Sequence, residues 1–194
     1  MAKRESSFIN MVVTLVLVTG IAATALGFVY DFTKGPIEAA KAKAQTEAIK
    51  EVLPEFEELG ESKLVTLTEG ADAVEIFPAY NGGEVVGTAV KTYTKNGFSG
   101  FISIMAGFDN DGNITGYSIL EHAETPGLGS KMDKWFNNEE KPKQNIIGKN
   151  PESTNFTVSK DGGDIDAITA STITSRAFLD AINRAYNSYK ENNK

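Results

Sequence analysis

Residues 8–30 run without a charged side chain. At about 1.5 Å per residue a helix of this length extends roughly 34 Å, enough to cross a bilayer. Asp31 ends the run. After Gly35, Pro36 is well placed at a first helical position, and Ile37, Ala40, Ala44, Ile49 and Val52 mark one face until Pro54 stops the pattern. The spacing predicts a stalk helix and linker over 31–54, with its Lys and Glu residues on a solvated face. From Ala73 the period shortens toward two. Strands are predicted at 74–80, 84–93, 101–108 and 114–120, separated by Asn81-Gly82-Gly83, Asn96-Gly97 and Asp109-Asn110-Asp111-Gly112-Asn113. Such spacing predicts an antiparallel meander. A last amphipathic pattern over 172–189 turns Ile173, Ala177, Ala181, Ile182, Ala185 and Tyr189 inward. The expected architecture is α+β: an N-terminal transmembrane helix and a stalk helix, then an antiparallel-sheet domain over 55–194 closed by a C-terminal helix.

Lys3 and Arg4 precede the apolar run, and Lys34 is the only base close behind it, so the positive-inside rule places residues 1–7 in the cytoplasm. The domain then lies outside the cell membrane on a single-pass anchor. A cleaved signal peptide is the competing reading, with Ala23-Thr24-Ala25 as its small-residue site. Against it, the apolar stretch continues through Leu26, Phe28 and Val29 to spanning length.

Composition narrows the chemistry. A chain of 194 residues has room for one domain with an ordinary core beside the anchor. A formal net charge of -7, with no basic cluster beyond Lys3-Arg4, argues against a nucleic-acid partner. The lack of cysteine excludes disulfides, thiolate nucleophiles, a lipoprotein anchor and Cys-held zinc or iron–sulfur groups. His122 is the only histidine, which excludes a multi-His metal site. The acidic turn at Asp109 puts Ile114 and Leu120 where a calcium loop needs Gly and Glu, so it reads as a hairpin turn and no metal site is expected. Any redox group is therefore an organic cofactor or a metal held by other ligands.

Two stretches remain as candidate chemistry. Asp166-Ala167-Ile168-Thr169-Ala170-Ser171-Thr172-Ile173-Thr174-Ser175 places a cluster of hydroxyls at a helix start, where unpaired N–H groups and the helix dipole favour an anion such as an esterified phosphate. The same residues cap helices when no ligand is present, so the cluster alone reads first as a cap. His122-Ala123-Glu124-Thr125-Pro126-Gly127-Leu128-Gly129 is a loop in which two glycines let backbone approach a flat ligand, or simply a turn cornered by Pro126 and Gly127. His122 reads as a hydrogen-bonded boundary residue and Trp135-Phe136 as core. No convincing general acid or nucleophile stands out, so no catalytic residue is assigned.

Taken together with Val52-Leu53-Pro54 at the stalk's end and Gly97-Phe98-Ser99-Gly100 before a strand, these motifs resemble a known family over nearly the whole chain. That family is the membrane-anchored, FMN-binding G subunit of the Rnf electron-transport complex, related to the C subunit of the sodium-pumping NADH:quinone reductase. The family's attachment sequence, Ser/Thr-Gly-Ala-Thr with an Asp three residues ahead, is matched by Asp166 and by Thr169-Ala170-Ser171-Thr172, with Ala in place of Gly and Ser in place of Ala. The resemblance implies an electron-carrier subunit of an ion-translocating ferredoxin:NAD oxidoreductase, with FMN joined to Thr172 by a flavin transferase. It also implies iron–sulfur and flavin subunits of the complex as partners. The ring is implied to lie against Glu124, Thr125, Gly127 and Leu128, with Thr169 and Ser171 beside the attachment point. Arg176, one turn along, reaches either the phosphate or Asp180. The runner-up is the matching subunit of the sodium-pumping quinone reductase, and an alternative of another class is a cofactor-free, membrane-tethered binding or assembly module.

Overall fold

The computed structural model describes residues 7–66 and 73–192, which leaves Lys3 and Arg4 outside the described residues. Its elements are α1 (Phe8–Val52), β1 (Glu58–Leu59), β2 (Lys63–Val65), β3 (Val74–Asn81), β4 (Glu84–Gly97), β5 (Gly100–Phe108), β6 (Ile114–His122), a four-residue α2 (Met132–Trp135) and α3 (Thr172–Asn192). The chain separates into two compact units, Met1–Lys43 and Ala44–Lys194.

From Phe8 onward the first unit is helix. Leu15, Val16, Ile21, Leu26 and Phe28 are all exposed on it, as lipid-facing side chains of a spanning helix are. Thr14, Thr19, Thr24 and Thr33 each return their hydroxyl to a carbonyl one turn back, at 2.7 to 2.8 Å, so none leaves a hydroxyl unsatisfied among apolar neighbours. The expected break between span and stalk is absent, because Pro36 lies inside α1. Inside the helix Pro36 gives up the hydrogen bond to the Phe32 carbonyl and crowds it, and Gly35 ahead of it at least offers the ring no β-carbon to meet.

In the second unit the four longer strands follow one another as the predicted antiparallel meander, β3-β4-β5-β6, with β1 and β2 both pairing along the outer side of β3. The Asp109 turn is the predicted hairpin: its carboxylate accepts from Asp111 N–H, Asn113 N–H and Asn113 Nδ2 at 2.8 to 2.9 Å. Alternation gives the sheet two apolar faces. Val74 and Ile76 of β3, Val90 of β4, and Ile102, Ile104, Ala106 and Phe108 of β5 pack against Ala177, Phe178, Ala181, Ile182 and Ala185 of α3. Phe178 is at the centre, stacked on Phe136 at 4.3 Å between centroids and met edge-on by Tyr117 at 5.0 Å.

The opposite face, with Phe77, Ala79, Ala89 and Met105, is covered by Ala48, Ile49, Val52 and Leu53. The last turns of α1 thus belong to the core of the domain, ahead of the boundary at 55 that the sequence predicts. The approach is close enough to require glycine: a β-carbon on Gly107 would overlap the carbonyl of Val52. That carbonyl accepts the Thr115 hydroxyl at 2.5 Å.

From Ala123 to Ser171 the chain is mostly irregular, with 3-10 turns at Gly129–Lys131 and Ser159–Asp161 beside α2. It is held by Phe136, Ile146, Phe156, Val158, Ile165 and Ile168, all inserted into the α3-side core. Phe136 is core as expected, and Trp135 is partly buried with its indole N–H donated to the Asp166 carbonyl at 2.9 Å. The stretch delivers the hydroxyl cluster to the start of α3, beside the ends of β4, β5 and β6.

Candidate functional site

Three segments separated in sequence meet at this end of the sheet: the β4–β5 turn at Phe98, the loop after β6, and the opening of α3. The α3 start is built by its own hydroxyls. The Ser171 carbonyl accepts the first intrahelical bond, from Ser175 N–H at 3.1 Å, and the Ser175 hydroxyl at 3.0 Å. Ser175 Oγ in turn accepts Ile168 N–H at 2.9 Å, which closes the preceding turn. The amides ahead of Ser175 open the helix and point outward, the usual origin of its positive end.

Thr174 donates its single hydroxyl hydrogen to Glu124 Oε2 at 2.5 Å, so in the 2.9 Å contact between Ser171 Oγ and Thr174 Oγ1 the serine is the donor. Glu124, 4% exposed, also accepts Ser99 N–H through Oε1 at 3.0 Å. One carboxylate thereby fastens the β4–β5 turn to α3. Gly129 allows this, since a β-carbon there would fall 2.6 Å from Glu124 Oε2 and 2.8 Å from Thr174 Oγ1. Across the loop, Gly127 has φ 75° and donates its N–H to Ser130 Oγ at 2.9 Å, while Leu128 N–H donates to the Thr125 carbonyl at 3.1 Å. His122 sits at the loop's entry, its Nδ1 accepting Glu124 N–H at 3.1 Å.

Between these segments lies a cleft of about 330 Å³, walled by Glu124, Thr125, Leu128 and Gly129 on one side and by Ala170, Ser171, Thr172 and Ile173 on another, with Phe98 completing it. Glu124, Thr125, Leu128, Ser171 and Thr172 are thus brought together as expected. Gly127 shapes the loop without lining the cleft, and Thr169 is exposed on the turn ahead of it. Ser171 and Thr174 are buried in the network around Glu124, while Thr172 is half-buried and opens onto the cleft. A larger hollow of about 580 Å³ runs along β6 between Glu51, Glu121 and Asp133, and contains none of the expected residues.

Two expectations change. Arg176 pairs with neither a cleft group nor Asp180: it grips Asp161 with both ends of its guanidinium, Nε to Oδ2 at 2.6 Å and an Nη to Oδ1 at 2.8 Å. That pairing holds the Asp161 carboxyl below the usual carboxylate range. Asp180 instead accepts the Thr94 hydroxyl at 2.9 Å. Ile173, predicted to face inward, is 48% exposed and lines the cleft, because the core ends before the first turn of α3 does. Phe98 and Thr174 lie within stretches that the sequence singles out, but neither is expected there as a site residue, and no sequence spacing relates Glu124 to Thr174, 50 residues on.

Ala170 has φ 62°, the only non-glycine among the described residues with positive φ. It stands where the family's attachment sequence carries glycine. A left-handed alanine costs on the order of 1 kcal/mol that glycine does not incur. Ala170→Gly is expected to raise stability by about 1 kcal/mol, less the glycine's extra unfolded-state entropy. The denaturant midpoint should move up at constant slope, and an unchanged or lower midpoint would count against the strain.

The FMN-binding domain family matches residues 97–187, a stretch that runs from the β4–β5 turn through most of α3 and so contains every wall of the cleft. Over 185 residues the chain is 35% identical to the G subunit of the ion-translocating oxidoreductase complex of Aliivibrio fischeri, covering 88% of this chain and 85% of that one. It is 32% identical over 193 residues to the G subunit of the Na(+)-translocating ferredoxin:NAD(+) oxidoreductase complex of Acetobacterium woodii, covering 93% and 90%. The corresponding subunit of Methanosarcina acetivorans is 31% identical over 181 residues, with 91% of each chain covered. With such agreement along almost all of its length, the chain belongs to the G subunit family of ion-translocating oxidoreductase complexes.

Proposed function

We propose that this chain is the electron-transfer flavoprotein subunit of a membrane complex that couples ferredoxin:NAD electron transfer to ion translocation, and that it carries FMN esterified to Thr172. The family membership supports the complex and the cofactor. The observation that carries the attachment point is the division among the hydroxyls: Ser171 and Thr174 are committed to the Glu124 network, whereas Thr172 opens onto the cleft.

The donor set fits the group. FMN joins a phosphate to a flat, largely apolar ring, and the cleft joins a helix start to the side chains of Leu128, Ile173 and Phe98. The opening amides of α3 favour the diester's negative charge by up to about 1 kcal/mol. When bound, FMN supplies one- and two-electron transfer. The chain's task is then to hold and seclude it. Glu124, by tying Ser99 to Thr174, keeps the Phe98 turn and the start of α3 in register, and Leu128 and Ile173, on facing walls, limit water between them. Attachment forms a bond from Thr172 Oγ1 to the FMN phosphorus and breaks the pyrophosphate of FAD. AMP leaves, and a flavin transferase accepts the hydroxyl proton. In-gel flavin fluorescence that survives denaturation, from the full chain co-produced with such an enzyme, tests this reading. A colourless, non-fluorescent band would overturn it.

The charges at Lys3 and Arg4 in the sequence support an N-terminus in the cytoplasm and a domain on the outer side. In cells stripped of outer layers, added protease is expected to remove the domain and spare the N-terminus. Protection of the domain would reverse the orientation.

A further inference from the structure

The turn joining β4 to β5 consists of Phe98 and Ser99 between two strand-end glycines, and the Phe98 side chain is 67% exposed. Turn tips favour small and polar residues, while large aromatic side chains gain their energy in cores and interfaces. Packing within the chain therefore gives no reason for phenylalanine here. The turn is nevertheless fastened in place. Ser99 N–H donates to Glu124 Oε1 at 3.0 Å, and a β-carbon on Gly97 would fall 2.6 Å from that same oxygen. The carboxylate that fastens the backbone after Phe98, and lies close against Gly97 before it, is also the one that holds Thr174 at the start of α3. The result is that Phe98 stands at the cleft beside Leu128, Thr172 and Ile173, as the one aromatic side chain in its lining.

We propose that Phe98 is the aromatic wall of the flavin site, packing on the isoalloxazine ring and keeping water from it. The proposal rests on the FMN reading above and adds to it a specific contact. Glu124 acts on the ring through this turn, as a positioning residue for Phe98.

The test uses the full chain carrying its flavin, with the adduct confirmed by intact mass in every variant. An indole quenches an excited flavin by electron transfer only near contact, whereas a phenyl ring is too poor a donor to do so. Phe98→Trp is therefore expected to lose most of the native flavin emission. Val85→Trp, at the opposite end of β4 and about 40 Å along the strand, is expected to retain it. Phe98→Ala should make the ring more readily quenched by iodide, and Phe98→Leu, which is bulky and apolar but no electron donor, should restore most of the protection. Equal emission from the two tryptophan variants, or iodide access unchanged by Phe98→Ala, would overturn the contact. Absence of an adduct from the unsubstituted chain would instead overturn the FMN reading, and the contact with it.

Discussion

Thr172→Val is expected to abolish covalent flavin completely while leaving the fold in place. Valine keeps the size and β-branching of threonine and deletes only the hydroxyl that the phosphoester needs. Thr172 takes no part in the Glu124 network and lies one residue past Ser171, whose carbonyl opens the helix, so the stability cost should stay within about 0.5 kcal/mol. Ser171→Ala is the informative partner experiment: it removes the neighbouring hydroxyl, which is buried and donates to Thr174, and the adduct should persist. Thr174→Val makes a poor neutral comparison. It would leave the buried Glu124 carboxylate without the donor at Oε2, at a cost of about 1–3 kcal/mol, and loosen the cleft as well. Intact-protein mass decides the question. An FMN-sized adduct that remains in Thr172→Val and is missing from Ser171→Ala would move the attachment to Ser171.

Phe178→Ala should be the most destabilising single truncation in the domain, at about 3–5 kcal/mol. Phe178 is fully buried, stacked on Phe136 and met edge-on by Tyr117, and these three rings come from α3, the irregular stretch after β6, and β6 itself. Removing the ring opens a void that three separately held segments would have to close at once. Domains of this size are stable by about 5–15 kcal/mol, so the loss is a large share of the whole. Urea unfolding of the flavin-loaded protein would measure it; a change below about 1 kcal/mol would mean that the surrounding core collapses freely.

The parts of the fold legible in the sequence are those with enough residues to show a period. The meander and α3 meet that condition, and the α3 positions expected to turn inward do so with the exception of Ile173. Strands β1 and β2 have two and three residues, too few for alternation to register. The stretch from Ala123 to Ser171 has little regular structure and is held by single apolar insertions, each indistinguishable in sequence from an ordinary loop residue. The expected break at Pro36 is absent, since a proline that opens a helix and one carried inside a long helix leave the same mark in the sequence. At the site, the loop and the hydroxyl cluster can each be read as chemistry, but not their meeting. That depends on Glu124 bridging Ser99 and Thr174 across 25 and 50 positions, a contact set by the sheet's topology.

The seating of Val52 over Gly107 also bears on how such a chain can be divided and recombined. Because Ala48, Ile49, Val52 and Leu53 supply the cover for Phe77, Ala89 and Met105, the last two turns of α1 act as a removable lining that the sheet cannot replace from its own residues. A secreted version of the domain, or a chimera on a foreign anchor, has its natural splice point at residue 44. Splicing at 55 would expose one whole side of the meander, a greasy plate of the kind that drives chains to precipitate.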